Sequence, residues 1–234
     1  MNWYVFLGKS LLTTTLLIVS FFSHSEDQPL STRWHADGRV VSSNGRVLQL
    51  NLQSVYDGLE HENRTYVIGF LIDKDSINIP QVAEVSPDFS TVRYWTFENI
   101  LSYAFIYRNN VHINDVDGTV FKFSGDAWLE TNLSFPENSR VIFSDGLERL
   151  VACHPSSPLM TGKHRGGCFS VAPDWRYDFT WFVVTPKVCD GKLFIYENKM
   201  NGGVVRVLSL ETGEALHSIA LTKAPNDLCG VSGI

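Results

Sequence analysis

Apolar and polar positions alternate with a period of two along much of the chain. Lys122 stands between Phe121 and Phe123, and Arg206 between Val205 and Val207. That period sends successive side chains to opposite faces of a strand, as in an antiparallel sheet with one wet face. Late in the chain it predicts four short strands, Phe179–Val184, Lys192–Tyr196, Val204–Leu208 and Glu214–Leu221. Asp190-Gly191, Asn201-Gly202-Gly203 and Glu211-Thr212-Gly213 separate them, turn sequences that supply positive φ cheaply. Phe97–Arg108 reads two ways. Ile100, Leu101, Ala104 and Tyr107 would line a short helix, but Phe105-Ile106-Tyr107 matches Phe194-Ile195-Tyr196 after the turn glycine Gly191, which favours strand. Val55–Thr65 reads as a hydrated hairpin loop.

The pattern recurs. Val85-Ser86-Pro87-Asp88-Phe89 matches Val171-Ala172-Pro173-Asp174-Trp175, and Trp95 matches Trp181. Phe105–Asn109 pairs with Phe194–Asn198, and Gly118–Ser124 with Gly203–Ser209. A third partial copy lies at Asn44–Leu50. The shared order favours an internal duplication, about 84–135 and 170–221, in units of four short strands. Such units repeated along a chain suggest an all-β, small β-propeller-like fold, with a β-sandwich or an open barrel as the alternative.

Asp190-Gly191-Lys192-Leu193-Phe194-Ile195-Tyr196, followed by Leu208-Ser209-Leu210-Glu211-Thr212-Gly213-Glu214-Ala215-Leu216, resembles a blade of the quinoprotein-like and related β-propeller families. In those families a strand opening on Asp-Gly precedes a second strand that ends on Thr-Gly. The resemblance covers one blade well and Asp88–Phe135 moderately. It implies architecture, and no catalytic residue carries over from it.

Composition narrows the class. The chain is 44% hydrophobic, 12% aromatic and 19% charged, which excludes a disordered protein. Its formal net charge of −6 argues against a nucleic-acid partner. Residues 1–25 read as a signal peptide: Lys9, then an apolar run from Leu11 to Phe22, with small residues at Ser23 and Ser25. A retained anchor over Trp3–Phe22 is the alternative, weakened by Lys9 and Thr13–Thr15 in its middle. Residues 26–234 then form a single exported all-β domain, periplasmic or secreted, with no membrane contact beyond the leader.

Four cysteines, Cys153, Cys168, Cys189 and Cys229, fit two disulfides in an exported chain. Sequential pairing, Cys153 with Cys168 and Cys189 with Cys229, closes the shortest loops. A metal site from Cys153, His154, His164 and Cys168 is the alternative, but adjacent strand residues point to opposite faces. No metal and no cofactor is expected.

Asn114-Asp115-Val116-Asp117-Gly118 resembles the start of a calcium loop, yet Ser124 stands where the closing acid belongs, so a turn with solvated carboxylates is expected. Asp88 and Asp174 are candidate paired carboxylates, with turn formation as the simpler role. His112, His154 and His164 have no sequence partner that suggests a nucleophile relay. Between Cys153 and Cys168 runs a long polar segment made basic by Lys163, His164 and Arg165 in an acidic protein. Loops held on a rigid scaffold carry binding residues, and these three are the leading binding candidates. Trp95 and Trp181 recur and are expected in the core; Trp34 and Trp128 do not recur and are candidate ligand contacts.

Together these features point to a non-enzymatic module that binds another exported protein, in one form a periplasmic immunity or inhibitor protein. A glycan-acting hydrolase or lectin of the cell envelope is the second class. A structural or envelope-assembly protein is the third.

Overall fold

The computed structural model describes residues 32–75, 77–154, 166–180, 182–199 and 202–232. Nineteen strands among them form five antiparallel sheets, each built from consecutive strands. The first sheet has three strands and the other four have four each. A sandwich would gather its strands into two facing sheets, and a barrel into one closed sheet. The β-propeller-like reading of the sequence therefore holds and its alternatives do not. Packing divides the chain into two compact units, one ending at Leu101 and the other starting at Ser102.

The first unit holds β1 (Thr32–Trp34), β2 (Arg39–Ser42) and β3 (Val47–Gln49), then β4 (Ser54–His61), β5 (Arg64–Ile72), β6 (Asn78–Val85) and β7 (Val92–Thr96). Its core joins Val40, Leu50, Leu52, Val55, Val67, Ala83 and Val85. The hydrated loop expected at Val55–Thr65 is instead β4 paired with β5, and Val55 and Thr65 are buried. Glu62 and Asn63 close this hairpin with φ of 50° and 60°. Two successive positive-φ residues match the twist of the flanking strands, a turn usually signalled by Asn-Gly. Glu-Asn makes it here without glycine, so the polar run looked like a loop.

The second unit holds β8 (Leu101–Tyr107), β9 (Asn110–Asp115), β10 (Thr119–Phe123) and β11 (Trp128–Ser134) in the third sheet. The fourth sheet is β12 (Arg140–Ser144), β13 (Leu150–His154), β14 (Gly167–Ser170) and β15 (Trp175–Asp178). The fifth is β16 (Phe182–Cys189), β17 (Lys192–Lys199), β18 (Gly202–Ser209) and β19 (Ala215–Leu221), and a 3-10 turn, Cys229–Ser232, follows. β8 settles the helix-or-strand question as strand, with Leu101, Phe105 and Tyr107 buried at period two.

The two copies mostly land on equivalent strands. Gly118–Ser124 and Gly203–Ser209 both mark third strands, β10 and β18. The Pro-Asp pairs Pro87-Asp88 and Pro173-Asp174 both stand between third and fourth strands. Phe105–Asn109 and Phe194–Asn198 do not correspond, because the first ends β8 and the second lies inside β17. The true counterpart of Asp190-Gly191 is Arg108-Asn109, and both pairs have positive φ.

Successive sheets of this unit bury their facing sides. Phe105, Val120, Phe135 and Leu150 join the third sheet to the fourth. Val151, Trp175, Leu193, Ile195 and Leu208 join the fourth to the fifth. Trp175 shows how such a joint is fixed. Its indole Nε1 donates to the carbonyl of Leu210 at 2.9 Å, and its ring covers Gly213 so closely that a Cβ there would lie 2.7 Å from it. The glycine of the Thr-Gly turn thus has two reasons, a φ of 69° and the ring above it.

Candidate functional site

The root of the basic segment is a pair of adjacent strands. Cys153 on β13 faces Cys168 on β14 in direct register, and the two form a disulfide with Cα atoms 4.0 Å apart. Both cysteines are buried, at 4% and 0% exposure. The next pair outward is His154 opposite Gly167. A Cβ at Gly167 would lie 2.7 Å from the carbonyl oxygen of Tyr177, so glycine lets β15 approach. His154 is half-buried. Burial holds its imidazole below the ordinary histidine pKa, the Arg176 guanidinium adds to that, and Asp178 opposes it. Arg176 Nε donates to Asp178 Oδ1 at 2.7 Å on the exposed edge of the same sheet. The hairpin that carries the segment is therefore cross-linked, buried and flanked by a neutral imidazole and an ion pair. Lys163, His164 and Arg165 themselves lie outside the described residues.

The second disulfide joins Cys189, at the end of β16, to Cys229, at the start of the 3-10 turn. Both pairings are the sequential ones. Asp227 fixes the approach: its Oδ1 accepts the Cys229 N–H at 3.1 Å and Lys187 Nζ at 3.4 Å. These two interactions, the N–H first, hold the carboxyl below its ordinary pKa. With Cys153 and Cys168 bonded to each other, the alternative metal site with His154 and His164 is excluded. Among the described residues no group of three potential ligands is suited to a metal ion.

The other candidates resolve differently. Asn114 and Asp115 are buried at 0% and 1% exposure, whereas Asp117 is exposed, so only one of the two carboxylates expected in solvent lies there. Asp115 Oδ1 accepts the Thr119 N–H at 2.8 Å, and Asn114 Nδ2 donates to the carbonyls of Asp115 and Ser139 at 3.0 and 3.2 Å. The run closes the β9–β10 hairpin and supports the segment entering β12, which is why its polar atoms point inward. Asp88 Oδ1 accepts Ser86 Oγ at 2.7 Å and the Ser90 N–H at 3.1 Å, and these bonds hold its carboxyl down at about 2. It is a turn former in a turn of its own. Asp174 is exposed.

Trp34 is half-buried against the first unit's core, its ring over Gly58, where a Cβ would lie 3.3 Å from it. The ring thus takes part in the packing of the first unit. Trp128 is half-buried against Phe123, ring centroids 5.1 Å apart. Trp95, expected in the core, is only half-buried and lies under the Arg93 guanidinium at 5.1 Å. Trp181 is outside the described residues.

Sequence reasoning missed two buried glutamates. Glu84 on β6 is 1% exposed and Glu197 on β17 is 0% exposed. Arg64 Nη1 donates to Glu84 Oε1 at 2.9 Å, and Arg93 Nε to Oε2 at 2.6 Å. Glu197 accepts the Thr180 N–H at 3.0 Å, Arg206 Nε at 3.3 Å and the Tyr177 hydroxyl at 3.4 Å. Both carboxylates are occupied by structural partners.

Two disulfides are the mark of an oxidising, extracytoplasmic compartment. No helix among the described residues is long and apolar enough to cross a membrane.

No protein-family model matches the sequence, and no curated protein matches it. Solved structures do. The chain is similar to the β-propeller domain of the trilobed protease from Pyrococcus furiosus, with a TM-score of 0.53 and 10% identity. That match covers 82% of this chain and 65% of the other, so the chain spans somewhat under two thirds of that domain. It is also similar to a protein from Thermus thermophilus described as an oxidoreductase (glucose dehydrogenase), with a TM-score of 0.51 and 9% identity, covering 82% of this chain and 81% of that one. At such identities the likeness concerns the fold: a β-propeller-like protein.

Proposed function

We propose that the chain is an exported, non-enzymatic binding module that recognises another exported protein through residues 155–165. The observation that carries this reading is the disulfide across the paired strands β13 and β14, at the root of a segment containing Lys163, His164 and Arg165. Cross-linking that root removes part of the ordering cost that a loop incurs on binding. Three basic side chains in an otherwise acidic protein suit an acidic patch on the partner and would raise the association rate. An inhibitor or immunity protein that blocks an exported effector, placed in the periplasm by the leader at residues 1–25, is one form of this reading.

The test is capture from the exported fraction of the protein's own source. One stoichiometric protein, retained by the native chain and lost from a Lys163→Glu, Arg165→Glu double variant of unchanged thermal stability, is the expected result. Retention that the double variant keeps, or retention on a glycan panel with no protein captured, would overturn it.

A further inference from the structure

The face of the fifth sheet turned away from the fourth carries a second feature, independent of the basic segment. The period-two pattern puts Lys192, Phe194 and Tyr196 of β17 on this face. Val205 and Val207 of β18 and His217, Ile219 and Leu221 of β19 share it, with Phe194, Val207 and His217 in one cross-strand row. Phe194, Tyr196, Val205 and Val207 form a buried apolar cluster there with Leu228 and Val231 from the C-terminal segment. The Cys189–Cys229 disulfide and the contact of Asp227 with Lys187 tie that segment down.

The segment does not fill the face. A cavity of about 260 Å³ remains, lined by Lys192, Phe194, Val207, His217, Ser218, Ile219 and Val231. At roughly 30 Å³ for each water-sized group it holds about eight or nine of them. That suits a short aliphatic chain or one ring. Its floor is apolar: Phe194 and Val207 are 2% and 4% exposed. Its rim is not. Lys192 and His217 are exposed, and neither enters an ion pair among the described residues. Among the described residues no carboxylate lines the cavity.

We propose that this cavity binds a small organic acid. The short apolar body lies on Phe194, Val207, Ile219 and Val231, and the carboxylate faces the Lys192 ammonium with His217 beside it. An apolar floor with a few polar groups converging at the rim is a usual form of small-molecule site. The cation at its mouth selects acid over alcohol or amine, because only an anion gains from the ammonium.

Hexanoate titrated into the full chain, followed by methyl NMR, tests this. Hexanoate is expected to shift the methyls of Val207, Ile219 and Val231 saturably, while 1-hexanol binds about tenfold more weakly and hexylammonium more weakly still. Lys192→Glu is expected to weaken hexanoate about tenfold or more, and Lys74→Glu, on a turn of another sheet, to leave it unchanged. Val231→Trp, which fills the cavity from the C-terminal segment, is expected to abolish binding in a protein with unaltered circular dichroism. Absence of shifts at those three methyls would overturn the site. Equal affinity for hexanoate and hexanol, or for native and Lys192→Glu protein, would overturn the assignment of an acid. Failure of the basic segment to capture a protein leaves each of these readouts unaffected.

Discussion

Glu84 in the second sheet and Glu197 in the fifth meet the same problem in different ways. Each is a carboxylate with almost no exposure on an interior strand, where desolvation costs several kcal/mol unless it is offset. Glu84 is met by two guanidinium groups from the strands on either side, Arg64 on β5 and Arg93 on β7, with side chains 45% and 41% exposed. Its compensation comes from within one sheet and reaches it from the solvent edge. Glu197 has one guanidinium, Arg206, with a side chain 29% exposed, and completes its shell with the Thr180 N–H and the Tyr177 hydroxyl. Tyr177 belongs to β15, so Glu197 holds the fourth sheet against the fifth. One buried acid reinforces a sheet, and the other joins two.

The largest expected effect follows from the thinner shell. Arg206→Met leaves Glu197 buried with only neutral donors, and breaking a buried pair in this way costs about 3 kcal/mol. A urea midpoint measured on native and variant chains checks it. The loss should come with weaker hydrogen-exchange protection on both β15 and β17, because the link between sheets is gone. A loss confined to β17 would reduce Glu197 to the within-sheet role of Glu84.

The doubly paired acid should tolerate more. Arg64→Ala and Arg93→Ala each leave one guanidinium on Glu84, so each is expected to cost about 1 kcal/mol. The double variant strands the carboxylate and should cost more than the two single effects together, by at least about 0.5 kcal/mol. A double-mutant cycle by chemical denaturation measures that excess. Simple additivity would mean that water, rather than the second arginine, meets the carboxylate once one partner is lost. The two acids would then differ less than their partners suggest.

Neither glutamate stood out in the sequence, and the reason is physical. Glu84 follows Val82-Ala83, and alternation puts it on the face opposite Ala83 and Val85, where a charged residue reads as solvent-facing. Alternation separates the two faces of a strand. It says nothing of whether the second face is wet, and Tyr66, opposite Glu84, is also buried. What was legible rested on local chemistry: the sequential cysteine pairs, the Asp190-Gly191 turn and the Thr-Gly turn beneath Trp175. Glu62-Asn63 makes the same turn as Asp190-Gly191 without a glycine, and the strands on either side of it were lost with it. Cysteine spacing exposed the root of the basic segment. The cavity on the fifth sheet was hidden, because it needs three strands and a segment beyond β19 to meet.

Histidine gives the comparison its opposite sign and its smallest effect. His112 on β9 is 4% exposed, stacked on Phe105 with ring centroids 5.5 Å apart, and its Nδ1 lies 3.0 Å from the Asn110 carbonyl. Burial holds its pKa below the ordinary 6.5, Lys122 on the neighbouring strand lowers it further, and the Asn110 carbonyl partly opposes both. The glutamates are buried with partners for their charge, whereas His112 is buried as the neutral base. In the window between its folded pKa and 6.5 the unfolded chain binds more protons than the folded one, so stability rises with pH there. Acidification through that window removes stability, and below the folded pKa the loss is complete for this group. His154 is shifted in the same direction, so it contributes to the fall together with His112. His112→Gln removes the titrating group from the better buried of the two sites. Its melting temperature is therefore expected to decline less than that of the native chain between pH 7.5 and pH 5, and His154 contributes to the decline that remains. Parallel declines would show that His112 reaches water before it takes up its proton.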